Sequence, residues 1–286
     1  MYTFSKKLKT FSIILMVLGA LGVGYGFMTS HKSFSEVETL LAEEEGAHGG
    51  GHAVETAQDT NANEMHSEST PSQMDEHKKH VEHVEHVQHQ IANRPWAALY
   101  VAALFFMMIA LGVLAFYAIQ RASQAGWSPV LFRVMEGITA YLLPGALIVM
   151  AIALASHFIG HDNIFVWMNE NMTKVGHEDY DKLIDNKSGF LNITGFIIRG
   201  LIFITGWSLY RYFSRKFSIA QDNASDIKNF KKNFRISAGF LVFYIYTESM
   251  MSWDWIMSVD PHWFSTLFGW YVFSNMIVSA ITVIAL

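Results

Sequence analysis

Glu248-Ser249-Met250-Met251-Ser252-Trp253-Asp254-Trp255-Ile256-Met257-Ser258-Val259-Asp260-Pro261-His262-Trp263-Phe264 is the stretch whose reading decides the fold. It closes an apolar run of membrane length, from Ile236 to about Met257, that holds two carboxylates. An Asp-Pro-His-Trp turn ends the run, because Pro261 has no N–H and disfavours helix at Asp260. A second apolar run leaves that turn at about Phe264. A charge at membrane depth costs several kcal/mol, of order 3, unless it is paired or hydrated. Glu248 and Asp254 are therefore candidates for function; the plainer alternative is that both cap or anchor helices near the water interface.

Outward from this stretch the same pattern repeats. Of 286 residues, 51% are hydrophobic and 14% aromatic, and they gather into about six runs near 20 residues, each long enough to cross a hydrocarbon core as a helix. No series of short alternating segments suggests a β-barrel. The expected fold is all-α, a polytopic transmembrane helix bundle of about six helices. An N-terminal signal-anchor helix occupies 1–29, a polar, acidic, His-rich segment 30–95, and the bundle 96–286. Within the bundle the helices are expected at about 96–120, 134–159, 191–213, 236–257 and 264–286. The first helix follows Lys6, Lys7 and Lys9, and a cleaved signal peptide is the alternative reading. Pro144-Gly145 inside the third helix predicts a kink.

The net charge of -5 conceals an asymmetry. Residues 30–95 hold 13 acidic and 4 basic residues, whereas 211–235 hold 7 basic and 2 acidic. In a membrane protein such asymmetry reports orientation, not a nucleic-acid partner. The basic segments (the N-terminus, 121–133 and 211–235) are expected on the cytoplasmic side, with 30–95, 160–190 and 258–263 outside. The absence of cysteine excludes disulfides, thiolate-held iron–sulfur clusters and covalently attached haem on this chain.

Residues 30–93 carry too little apolar surface to be expected to fold alone. At their end His77, His80, His83, His86 and His89 recur every third residue, with Val81, Val84 and Val87 in phase. Neighbouring pairs could chelate a transition metal, but a three-residue period drifts by about 60° per step on an α-helix. A solvated helix with adventitious metal affinity is the preferred reading, and no dedicated metal site is expected.

Helical rise gives the depths of the membrane charges. Arg199 lies roughly 12 Å below the outer end of its helix, Glu248 roughly 14 Å and Asp254 about 5 Å. Arg199 and Glu248 on consecutive antiparallel helices thus fall at matching depth, and an ion pair between them would resolve two costly burials; separate watery crevices are the alternative. His157, His161 and His262 belong at the outer surface. They could ligate haem, belong to a polar cluster serving quinol or proton chemistry, or form an ordinary interfacial belt.

Ser252-Trp253-Asp254-Trp255-Ile256-Met257-Ser258-Val259-Asp260-Pro261-His262-Trp263-Phe264-Ser265-Thr266, followed by Phe268-Gly269-Trp270-Tyr271, resembles the signature of the large integral-membrane subunits of alternative complex III, a quinol:cytochrome c oxidoreductase. Those two subunits are similar to the polysulfide-reductase membrane subunit. The N-terminal anchor and the long polar segment favour the second of the two over the one usually credited with the quinol pocket. The resemblance implies a protein of the bacterial inner (cytoplasmic) membrane that anchors redox partners and conducts protons, with no redox centre of its own. Partner subunits would carry haem c and iron–sulfur clusters, with menaquinol or another quinol bound in the complex and a terminal oxidase as a further neighbour. The family has about ten helices, so this chain, ending on Ile-Thr-Val-Ile-Ala-Leu without a polar anchor, is expected to be the N-terminal part of a longer polypeptide. The resemblance carries Asp254, Asp260 and His262 as proton-pathway candidates; Glu248 and Arg199 join them from depth alone. The competing readings are a secondary transporter or channel using Glu248, Asp254 and Arg199, and a scaffold whose charges only hold helices together.

Overall fold

The computed structural model describes residues 5–47, 71–159, 164–177 and 179–286. Among them the chain is all-α, with no strand. Five stretches are long and apolar enough to cross a membrane: Lys6–Ser30, Lys78–Ala122, Ser128–Phe158, Ile193–Asp222 and Phe268–Ala285. The chain is a multi-pass membrane protein whose apolar helices meet lipid. The remaining expected span, 236–257, is helical but is not among the five, because polar and charged side chains occupy one buried face along its length.

Contacts divide the chain into two units, Met1–Pro95 and Trp96–Leu286. In the first, α1 (Lys6–Ser30) is capped by Ser5, whose hydroxyl accepts from the Leu8 N–H at 3.2 Å. Phe11, Met16, Leu18 and Leu21 on α1 are exposed, as an anchor helix in lipid requires. At α2 (Phe34–Ala47) Ser33 and Glu36 make a capping-box bond, with the Ser33 N–H donating to Oε2 at 2.8 Å. The long helix α3 (Pro71–Ala122) follows, with Pro95 inside it. Within 30–93, a segment too poor in apolar surface to be expected to fold alone, 34–47 and 71–93 are helical. Val84 and Ile91 of α3 are buried with Val37 of α2, and Phe34, Leu41 and Val87 pack around them. The valine row that runs in phase with the histidines supplies that apolar stripe, leaving His80, His83, His86 and His89 exposed. Residues 48–70 lie outside the described residues.

In the second unit α4 (Phe132–Ile138) gives way to a 3-10 turn at 139–141 and then α5 (Leu142–Phe158). The predicted kink is therefore a break one turn before Pro144, where the missing N–H would have bonded Ala140. A short α6 (Lys182–Lys187) precedes α7 (Ile193–Asp222), which packs along α8 (Lys228–Trp255). A 3-10 turn at 257–259 and the Pro261 bend lead into α9 (Phe268–Ala285). Gly112 brings α3 against α9: a Cβ there would lie 2.6 Å from the Met276 carbonyl oxygen, so only glycine allows this approach.

Candidate functional site

The interior face of α8 carries Asn233, Ser237, Tyr244, Thr247, Glu248, Ser252 and Asp254, all buried. From Asn233 to Asp254 the helix rises about 32 Å, close to the roughly 30 Å of a hydrocarbon core. This polar column explains why α8 is less apolar than its neighbours. It also places every titratable group of the column toward protein rather than lipid.

At the outer end of the column Asp254 meets Arg199. The guanidinium donates through Nε to Oδ2 at 2.5 Å and through Nη2 to Oδ1 at 2.9 Å, a two-pronged fork. Nη2 also donates to the Phe190 carbonyl at 2.9 Å, and the guanidinium lies over the Phe190 ring at 4.1 Å. The Asp254 side chain is 1% exposed and that of Arg199 16%. Gly195, one turn before Arg199, leaves room for Nη1, since a Cβ there would sit 2.8 Å from it. Below the pair, Phe203, Trp207 and Trp255 form a ring cluster with centroids 5.8–6.3 Å apart. Tyr100 donates to the Trp255 carbonyl at 2.7 Å and ties α3 to this end of α8.

The expected Arg199–Glu248 pair is thus corrected: Arg199 pairs with Asp254. Depth matching compares positions along the axis and ignores direction around it. Residues 248 and 254 are six apart and point roughly 120° away from each other around the helix. Arg199 meets one of them, and Glu248 is left over. It is 4% exposed; Oε2 lies 3.5 Å from the Ser249 hydroxyl, and Oε1 has no hydrogen-bond partner among the described residues. Tyr244, one turn earlier on the same face, also has a buried hydroxyl without a partner among them. Together they form a carboxyl and a phenol with unused hydrogen-bonding capacity inside the protein.

His262, a proton-pathway candidate from the resemblance, bonds Asp181, with Nε2 2.6 Å from Oδ2. The other Asp181 oxygen caps α6, accepting from the Leu183 and Ile184 N–H groups at 2.7 and 3.2 Å. Partial burial pushes the Asp181 carboxyl up, but the two backbone donors and His262 outweigh it and hold its pKa below the usual carboxylate value. Lys187 donates to the Pro261 carbonyl at 2.6 Å, a second tie between the same segments. Asp260 is exposed and accepts from the His262 N–H at 3.1 Å, shaping the turn. His262 and the Pro261 carbonyl therefore fasten the 258–263 turn to Asp181 and Lys187 at the two ends of α6, while Asp260 acts within the turn. His157 is half-buried on α5, and His161 lies outside the described residues. Among the described residues no three His, Cys, Asp or Glu side chains converge as metal ligands. The His77 side chain is outside the described residues.

Sequence reasoning missed a second cluster at the opposite end. Glu136 accepts from Tyr117 at 3.0 Å and from Arg133 at 2.6 Å, with Arg121 3.8 Å away. Arg121 donates to Tyr117 at 3.1 Å and Ser218 at 2.8 Å, and Arg133 also pairs with Asp222. Ser214 links Tyr117 to Asn233, the first residue of the α8 column, at 3.3 and 2.6 Å. The buried Arg121 and Glu136 were legible as an ionisable pair flanking a short loop, but the network joins α3, α4, α7 and α8, which no local pattern reveals. No protein-family model matches this chain, and no curated protein matches it either.

Proposed function

We propose that this chain is an integral-membrane component of a respiratory quinol:cytochrome c oxidoreductase of the alternative complex III type, most similar to the second of that assembly's two large membrane subunits. It sits in the bacterial cytoplasmic membrane with its N-terminus in the cytoplasm. It anchors partner subunits that hold haem c and iron–sulfur clusters, and it contributes a proton route. Quinol oxidation releases electrons and protons together; the electrons pass to the partners' centres, and the protons need polar groups through the membrane.

The observation that carries this reading is the buried polar face of α8, with Glu248 at a position where its carboxyl has an acceptor oxygen to spare. Asp254 was one of the proton-pathway candidates. Both its oxygens are engaged by Arg199, so the exchanging role falls to Glu248 and the fork becomes the element that positions α7 against α8. A transporter using Arg199 and Asp254 as substrate groups is disfavoured for the same reason, since each already satisfies the other.

Purification in mild detergent tests the assignment. Haem c absorbance and iron–sulfur polypeptides should travel with the chain, and the preparation should oxidise a quinol with cytochrome c as acceptor. A lone polypeptide without either would overturn it.

A further inference from the structure

On the outer surface of the α7–α8 pair, toward the basic 211–235 end, lies a groove of about 380 Å³. Gly206, Phe213 and Phe217 of α7 and Ile236, Phe240 and Phe243 of α8 line it. A Cβ on Gly206 would come within 2.3 Å of the Phe243 ring, so the glycine lets that ring approach α7 closely. Along it Tyr210 and Phe240 stack with centroids 3.9 Å apart. From Gly206 to Phe217 the groove spans about 16 Å along the axis, a long slot with an apolar wall.

Its mouth is cationic. Lys216 lies three residues beyond Phe213 on the same stripe of α7, and Lys232 lies one turn before Ile236 on the stripe of α8. The Lys232 ammonium is 5.8 Å from the centroid of the Phe217 ring, which ties the charge to the end of the slot. Both lysines are exposed and neither pairs with a carboxylate among the described residues, whereas Lys228 nearby is held by Asp226 at 3.1 Å. An apolar slot of acyl-chain shape ending at two uncommitted ammonium groups matches an anionic phospholipid. Basic pockets between transmembrane helices take such headgroups. A neutral isoprenoid tail would fill the slot but leave both lysines unused.

We infer that this groove is a binding site for one anionic diacyl phospholipid, with an acyl chain between Phe213 and Phe243 and the phosphate between Lys216 and Lys232. The test uses the purified full assembly in nanodiscs of phosphatidylcholine, doped with a phosphatidylglycerol that carries a photoreactive group on its acyl chain. Peptide mapping should find adducts within 206–217 and 236–243. Replacement by Gln should lower labelling roughly fivefold for either lysine alone and roughly 30-fold for the Lys216→Gln/Lys232→Gln pair. Both side chains are at the surface, so assembly yield should not change. Equal labelling by a phosphatidylcholine probe would overturn the inference, as would insensitivity to the lysine changes. Labelling by a photoreactive polyprenyl quinone in preference to phosphatidylglycerol would also overturn it and assign the slot to a quinone tail. Absence of an adduct with any probe would refute it too, showing that protein covers the groove.

Discussion

The Arg199–Asp254 fork occupies both oxygens of Asp254 and leaves the Glu248 carboxyl without a cationic partner among the described residues. Breaking a buried pair leaves one charge uncompensated, at about 3–5 kcal/mol. Arg199→Leu and Asp254→Leu should therefore each lower the thermal midpoint and the yield of the assembly, and the double replacement should recover part of both. Strict additivity in that cycle would show that the two side chains do not stabilise each other. Arg199→Lys should not restore the wild-type midpoint, because an ammonium cannot make the two parallel bonds of the fork. At the surface, the Asp181–His262 contact should depend on pH. The folded-state pKa of Asp181 is depressed, so its contribution is present above about pH 4 and fades as the pH falls below that value. Hydrogen-exchange protection factors in 181–187 and 258–264, corrected for the intrinsic rate at each pH, should fall selectively in acid, and Asp181→Asn should lower them at neutral pH.

At the scale of elements, close approach through glycine separates the packed from the merely tolerant positions. Gly112→Ala should drive α3 and α9 apart against the Met276 backbone and cost about 1–3 kcal/mol, as overpacking does. Gly239 has nothing within 4 Å of a would-be Cβ, so Gly239→Ala should be neutral or stabilise α8 by up to about 1 kcal/mol. Thermal unfolding of the two variants in one detergent compares them. Helix positions themselves were legible from hydropathy runs, and Pro144 marked the break between α4 and α5. Three things were hidden. The apolar stripe formed by Val84, Val87 and Ile91 reads as a valine spacing among histidines until α2 is known to cover it. The direction of Glu248 around α8 cannot come from its depth, which is why its pairing with Arg199 was expected and not found. The Tyr117–Ser214–Asn233 links were equally out of reach, since their partners are 19 to 97 residues apart in the chain.

For the whole molecule, the two ends of the bundle are distinct. Arg121, Arg133, Ser218 and Asp222 meet at one end, and Asp181, Lys187, Pro261 and His262 meet at the other. With no native cysteine to interfere, single replacements report the orientation. Val259→Cys should react with a membrane-impermeant maleimide in intact cells and Ser123→Cys only after lysis, and the reverse pattern would invert the topology. Between these ends the α8 column offers hydroxyl, amide, phenol and carboxyl groups through the bundle, with Glu248 as its uncommitted acid. The decisive measurement is quinol turnover together with proton release in membranes carrying Glu248→Gln, which keeps the shape of the side chain and removes its titration. An assembled complex with normal haem content, turnover reduced about tenfold or more, and weakened proton release is the predicted result, that factor lying below the usual contribution of a positioned acid–base group. Wild-type turnover and proton release across pH 5–9 in the same variant would contradict the proton role of Glu248.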